Sequence, residues 1–316
     1  RGAPRAGAGA ARTADAAARG GGGGGPPTVG FSDAHPKRFV RSPLILRFFT
    51  VKRVTLIRGN NDARMKDLPL FYAPHLREDL QLPEGEAQHA LRVLRAQVGD
   101  EFLVTDGQGT LFETRVTGVD RRHCLLSILH EEPWQKYWRG TWSVAIAPTK
   151  SLDRIEWMLE KMVEVGLDEI FLIKTKHSER KHTSADRLER IIQSAMKQSH
   201  KALLPTLTTD LPFSSLLEAT SDYDLRLLAH CREGLSPERT TIDRVFRPES
   251  KILLMIGPEG DFSVEEIETA VASGCQPITL GSSRLRTETA GLIGLQWLHT
   301  LDMIGHAHPS AKQPTK

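Results

Sequence analysis

Two segments in the last quarter of the chain combine glycine, proline and charge in a way that could hold a small ligand. The first is Ile256-Gly257-Pro258-Glu259-Gly260-Asp261-Phe262-Ser263, directly after the apolar run Lys251–Ile256. The second is Leu280-Gly281-Ser282-Ser283-Arg284-Leu285-Arg286-Thr287-Glu288-Thr289-Ala290, directly after Pro277–Leu280. Glycine lets backbone N–H and C=O groups approach a ligand closely, and proline leaves less freedom to lose on binding. Arg284 and Arg286, with Leu285 between them, suit recognition of phosphate or carboxylate. Taken singly the pieces are ordinary: Gly-Pro-Glu-Gly is a common turn and Thr-Glu-Thr-Ala a good helix start. The chain has neither GxGxxG nor GxxxxGK[ST], which disfavours dinucleotide and nucleoside triphosphate cradles.

These segments need strands before them and helices after them, and the flanking pattern supplies both. From Thr141 onward strands alternate with helices, the mark of a parallel α/β sheet. Trp142–Ala147, Glu169–Lys174, Leu225–Ala229, Lys251–Ile256 and Pro277–Leu280 read as strands. Ser151 caps a helix with Leu152, Ile155, Leu159, Met162 and Val163 on one face and Gly166 as its stop. Ser184 opens another, with Leu188, Ile191, Ile192, Ala195 and Met196 inward, ending near Pro205. Ser263-Val-Glu-Glu266 is a capping box for a helix that stops at Gly274, and the last helix runs from Glu288 to about Met303. Ligands of open α/β sheets bind outside the C-terminal ends of the strands, where both loops fall.

Before Thr141 the texture differs. Leu70-Phe71-Tyr72, Glu101–Thr105, Thr110–Thr117 and His123–His130 read as short strands, with a helix over Glu84–Leu94 and a hairpin at Asp106-Gly107-Gln108-Gly109. This predicts a small β-barrel over residues 65–135, a linker over Pro133–Gly140 and an α/β domain over 141–305, leaving 306–316 as a tail. Residues 1–30 are almost all Ala, Gly, Arg and Pro, which cannot repay ordering, and Phe39–Ile57 is more apolar and basic but shows no sustained helical period. Met65 reads as a protein start, so 1–64 are expected to be a disordered extension. An Arg-rich, acid-poor transit peptide is the alternative.

Charge does not advertise a polyanion ligand. The formal net charge is +3, but residues 1–64 hold 12 of the 42 Lys+Arg and 3 of the 39 Asp+Glu, so the remainder carries −6. Any RNA contact must come from local patches. Arg121-Arg122 and the group Lys174, Lys176, Arg180 and Lys181 are the candidates for phosphate contact, although short charge runs are more often solvated faces. Cys124, Cys231 and Cys275 lie far apart without metal or disulfide spacing and read as buried thiols in a reducing compartment. The histidines lack ligand spacing, so no metal is expected. No apolar run approaches the ~20 residues of a membrane span, so no membrane role is expected.

The paired loops resemble the cofactor-binding signature of the RsmE-like ribosomal RNA uracil-N3 methyltransferases, of the SPOUT class. The likeness extends over roughly 230 residues. His89-Ala-Leu-Arg92-Val-Leu-Arg95, Val98-Gly99-Asp100, Lys150, Glu160-Lys161, Glu164-Val-Gly166, Ser178-Glu179-Arg180, Gln198-Ser199 and Pro205 match other parts of the family pattern. Asp261 departs from it, standing where a second Gly is common. So do Ser283-Arg284, where many members have Arg and an aliphatic residue, and Lys197 and Lys201, where many have Glu and Arg.

The resemblance implies a PUA-like barrel before a parallel sheet threaded into a trefoil knot, S-adenosylmethionine (SAM) as cofactor, homodimers, and small-subunit ribosomal RNA as substrate in the cytoplasm, or in an organelle if 1–64 is a transit peptide. The donor would be held by Ile256, Gly257, Pro258, Glu259 and Gly260, and by Leu280, Gly281, Leu285, Arg286, Thr287, Thr289 and Ala290. Ser178, Glu179, Arg180 and Gln198 would contact RNA or the dimer partner. Arg286 is expected to stabilise the uridine oxygen as N3 loses its proton. Glu288 is either the base or a structural charge at a helix N-terminus. Other targets (ribose 2′-hydroxyl, guanine N1) and a non-catalytic RNA-binding role are the competing readings.

Overall fold

The computed structural model describes residues 68–179 and 183–307. The extension 1–64, most of the expected tail, and Arg180 and Lys181 lie outside the described residues. In the N-terminal part, β1 (Leu70–Tyr72), α1 (Leu76–Asp79), α2 (Glu84–Arg92), β2 (Glu101–Thr105), β3 (Thr110–Val119) and β4 (Cys124–Pro133) follow in order. They build one four-stranded sheet, β1-β2-β3-β4, with β1 parallel to β2 and the other pairs antiparallel. Phe71, Phe102, Phe112 and Val116 from the strands bury against Leu76, Ala87 and Ala90 from the helices.

The second part runs β5 (Thr141–Ile146), α3 (Leu152–Val165), β6 (Glu169–Lys174), α4 (Ala185–Gln198), β7 (Thr206–Pro212) and α5 (Phe213–Ala219). It continues with β8 (Leu225–Ala229), α6 (Ile242–Val245), β9 (Lys251–Ile256), α7 (Val264–Ala272), β10 (Gln276–Ile278) and α8 (Thr287–Ala307). Its six strands are all parallel, in the order β10-β8-β9-β5-β6-β7. Alternate residues of a strand face opposite sides, and β9 buries both. Leu254 and Ile256 join Ile155, Leu159 and Met162 of α3 and Leu295 and Leu298 of α8. Leu253 and Met255 join Leu216 of α5, Ile267 of α7 and Phe262. A sheet covered on both faces explains the unbroken apolar run of this strand.

Helix α8 lies close to α3 and to the sheet because two of its residues have no side chain. A Cβ at Gly291 would fall 2.5 Å from Met162 Cε, and one at Gly294 would fall 2.6 Å from Leu254 Cδ2. The two parts of the chain are joined through the β2–β3 hairpin. Gly109 N–H donates to the Ala202 carbonyl at 2.8 Å, and Leu204 N–H donates to the Gly107 carbonyl at 2.9 Å. The linker is tied down by Asp168, which accepts from Lys136 Nζ at 2.8 Å, Trp138 Nε1 at 2.9 Å and the Trp142 N–H at 2.8 Å.

The structure departs from the expected elements in several places. Helix α4 ends at Gln198 with Ser199 as its cap, well before Pro205. The stretch after Pro205 holds an edge strand and a short helix, β7 and α5, whose residues carry little periodic signal. Strand β4 continues through Pro133, so the linker begins later than expected. The last helix extends at both ends, over Thr287–Ala307. Cys124 and Cys275 are buried as expected, but Cys231 is exposed, because it leaves the sheet in the loop after β8.

Candidate active site

Both glycine-bearing loops leave the C-terminal edge of the parallel sheet. Ile256 and Gly257–Pro258 are buried at the end of β9, while Glu259 and Gly260 are exposed. The chain turns at Asp261, whose φ is +63° and whose N–H donates to the Pro258 carbonyl at 2.9 Å. This left-handed backbone explains why glycine is usual at the position. Asp tolerates the conformation better than most residues, and here its carboxylate fixes the turn by accepting from Phe262 N–H and Cys231 N–H, both at 2.8 Å. Phe262 then inserts fully into the core beside Phe213, with ring centroids 5.1 Å apart. Ser263 and Glu266 form the expected capping box, with bonds of 3.2 and 2.8 Å.

The second loop begins with Leu280 packed on the core and Gly281 at φ +110°, where a Cβ would meet nothing within 4 Å. Ser282, Ser283, Arg284 and Arg286 are exposed and Leu285 is half-buried. Helix α8 then starts with Thr287 and Glu288 buried, at 6% exposure each, and Thr289 and Ala290 half-buried. Glu288 does not stand alone: its Oε1 lies 3.7 Å from Nε of Arg154 on α3. Arg154 was not singled out from the sequence, since only the packing of α8 on α3 brings it there.

The loop after β6 closes against the first loop. His177 Nδ1 lies 2.9 Å from the Asp261 carbonyl and must donate there. Lys176 is tied to the start of α7, its N–H to Glu266 at 2.8 Å and its ammonium to Glu265 at 3.3 Å. Glu265 is held down to about 2 by its own backbone N–H, the Ser263 hydroxyl and Lys176. Lys174 pairs with Asp210 at 3.3 Å. These two lysines are therefore less available to phosphate than their sequence suggested. Gln198 is exposed at the end of α4. Arg121 and Arg122 are exposed on the β3–β4 turn of the other sheet. There Asp120, pulled down to about 2 chiefly by the Arg122 N–H and also by His123, fixes the turn.

Lys201, one of the departures from the family pattern, is 4% exposed and donates to the Glu164 carbonyl at 2.7 Å, at the end of α3. Burial pushes its ammonium down to about 8, with Glu164 opposing. Among the described residues no cluster of three or more His, Cys, Asp or Glu could hold a metal, and no helix is long and apolar enough to cross a membrane.

The comparisons place this parallel α/β sheet, with two glycine loops at its C-terminal edge and a small β domain before it, among the RNA methyltransferases. Residues 138–299 match the RNA methyltransferase domain family, and residues 82–129 match the PUA domain of RNA methyltransferases. The chain belongs to this RNA methyltransferase family, and its fold is of the SPOUT type. Among solved structures it resembles a probable rRNA-methyltransferase from Porphyromonas gingivalis, at 47% identity and a TM-score of 0.72, over 75% of this chain and 99% of that one. It also resembles ribosomal RNA small subunit methyltransferase E of Neisseria gonorrhoeae, solved bound to SAM, at 26% identity and a TM-score of 0.65, over 74% and 98% of the two chains. The enzyme of the same name from Synechocystis is 28% identical over 222 residues, 70% of this chain and 72% of that one. The likeness to that enzyme family read from the paired loops is thus borne out.

Proposed function

We propose that this chain transfers a methyl group from SAM to N3 of a uridine in small-subunit ribosomal RNA, working as a homodimer. The observation that carries the reading is the pair of loops at the ends of β9 and β10, with Arg286 exposed where the second loop meets α8. The residues fit such a donor. Gly281 leaves open space over its backbone, and the exposed carboxylate of Glu259 offers a counter-charge to a ligand bearing sulfonium and ammonium groups. Bound SAM supplies an electrophilic methyl group.

In this reading the chain has three tasks. Ile256–Gly260 and Leu280–Leu285 hold the donor through backbone groups and the half-buried Leu285, aided by Thr287, Thr289 and Ala290 at the start of α8. Holding donor and base in line can remove ~7–11 kcal/mol of the barrier without any covalent step. Arg286 stabilises the uracil oxygen that gains charge as the N3 proton passes to water. Glu288, buried and held by Arg154, anchors the loop rather than taking that proton. Arg121, Arg122 and Gln198 are proposed to contact RNA, with Lys174 and Lys176 contributing only when their acidic partners release them. Trp157 on α3 and Trp297, Met303 and Ile304 on α8, all exposed on helices that pack together, are proposed to meet the second subunit. Passage of the C-terminal segment through a knot belongs to the same reading.

The test is calorimetry with SAM and its demethylated product, followed by mass mapping of nucleosides in small-subunit ribosomal RNA from cells with and without the protein. Arg286→Ala is expected to retain donor binding and lose roughly 100-fold or more in methyl transfer. Absence of heat from both ligands would end the enzymatic reading. Loss of a 2′-O-methyl or N1-methylguanine mark, rather than 3-methyluridine, would overturn the target.

A further inference from the structure

The small β domain meets the α/β domain along a seam built from backbone as well as side chains. Between the two backbone bonds that join them, Gln108 at the tip of the β2–β3 hairpin pairs with Leu203 as an antiparallel bridge. Thr105, fully buried, donates its hydroxyl to the Ala202 carbonyl at 3.1 Å and accepts from the Gly107 N–H at 3.0 Å. Gly107 has φ +75°, and a Cβ there would fall 2.8 Å from the Tyr72 ring and 3.2 Å from Leu204 Cβ. Only glycine lets the hairpin pass between them. Tyr72 and Leu204 in turn pack against the core shared by α3 and α8. On one flank Lys197, at the end of α4, pairs with Glu86 of α2, with side chains 22% and 17% exposed. Glu86 also accepts from the Tyr72 N–H at 3.4 Å. Lys197 is one of the departures from the family pattern, and this pair needs its positive charge.

Domains joined only by a linker move relative to one another by default, and this seam opposes that motion. Its geometry makes small motions count. Strand β3 begins at Thr110, beside the seam, and ends at Val119, just before the exposed Arg121 and Arg122. Ten residues of strand place those arginines roughly 30 Å from the seam. A 10° tilt of the small domain at the seam would carry them about 5 Å along this lever. That exceeds the ~3.4 Å between successive charges on one strand of a duplex. A loose seam would therefore let the same phosphate contact coexist with more than one nucleotide at the methyl-transfer site.

We propose that the seam is a specificity-determining element: by holding the small domain at a fixed distance from the glycine loops, it selects which uridine receives the methyl group. Gly107, Lys197 and Glu86 are its positioning residues and touch neither donor nor base. The assignment rests on the function proposed above, with Arg121 and Arg122 on the RNA. Two contact sites held on one rigid body also bind one RNA at a high effective concentration, which a hinge would dilute. The seam thus sets both the register and the apparent affinity for RNA, and leaves the affinity for SAM untouched.

The experiment opens the seam in two ways in the full chain. Lys197→Glu sets two carboxylates against each other, and Gly107→Ala drives a methyl group into the Tyr72 ring. Hydrogen exchange at the Gly109 and Leu204 amides, which donate across the seam, reports the opening and should speed up in both variants. With small-subunit ribosomal RNA as substrate, KM should rise about 10-fold while kcat and the calorimetric affinity for SAM stay near wild type. Mass mapping should then find methyl groups on neighbouring uridines as well as on the wild-type site. The charge swap Glu86→Lys with Lys197→Glu should recover part of the KM and the single site, which a merely destabilised fold would not do. Faster exchange with wild-type KM and a single methylated uridine overturns the assignment, as do seam amides that stay protected in both variants. Absence of methyl transfer by the wild type would instead overturn the proposed function itself.

Discussion

Glu288 is the residue for which two roles can be separated most cleanly. A general base must reach its proton at hydrogen-bond distance, but this carboxylate is 6% exposed and lies 3.7 Å from Arg154 Nε. At that separation the Coulomb attraction is about 4–5 kcal/mol for an effective dielectric of 20, before desolvation and side-chain ordering are subtracted. Because Arg154 is 44% exposed, solvent screening reduces the net pair contribution to about 1 kcal/mol or less. A negative charge in the first turn of α8 adds about 0.3–1 kcal/mol. Glu288→Gln should therefore cost about 1–2 kcal/mol, a fall in Tm of roughly 2–5 °C for a body of this size. Methyl transfer should drop less than 10-fold, mostly through donor affinity, and Arg154→Ala should reproduce the effect. The assay is thermal unfolding alongside single-turnover transfer at saturating SAM. A loss of 100-fold or more in the single-turnover rate, with donor affinity and Tm unchanged, would refute the anchoring role and make Glu288 the base.

Three further outcomes follow from the geometry. Gly257→Ala places a Cβ 3.0 Å from the Phe262 ring and 3.1 Å from its backbone nitrogen; the loop must shift, and donor affinity should fall by about 10-fold in calorimetry. Lys201 has a folded value of about 8 against 10.5 for a free lysine. Its buried charge therefore costs stability below pH 8, and that cost is relieved as pH rises from 8 to 10.5. The stability of wild type relative to Lys201→Met, from denaturant unfolding, should improve by about 3 kcal/mol across this window, and a flat difference would remove the buried-ammonium account. Trp297 and Met303 are 42% and 61% exposed; replacing both with Glu should give a monomer in sedimentation, and an unchanged dimer would place the interface elsewhere.

What could be read from the sequence was what local chemistry decides. Strand β9 announced itself by an unbroken apolar run, α3 by its apolar period, α7 by its capping box, and the loops by Gly257, which the structure puts at a strand end, and Gly281, which it puts at positive φ. Even the departure at Asp261 was meaningful, because the residue occupies a backbone conformation that favours glycine. Strand β7 escaped notice because an edge strand is half solvated and its prolines, Pro205 just before it and Pro212 as its last residue, read as breakers. The end of α4 was missed because Ser199 is an inconspicuous cap.

The features that escaped sequence reading altogether are those made by chain crossing. Arg154 meets Glu288 across 134 positions of sequence. The lysines show the same limit from the other side. Lys174 and Lys176 looked like phosphate contacts because they cluster, yet Asp210 and Glu265 reach them from elsewhere in the chain. For a body whose acidic residues outnumber its basic ones, a charge run is a poor guide to a polyanion surface. The useful quantity is the cation left exposed after tertiary pairing, and only the folded arrangement supplies it.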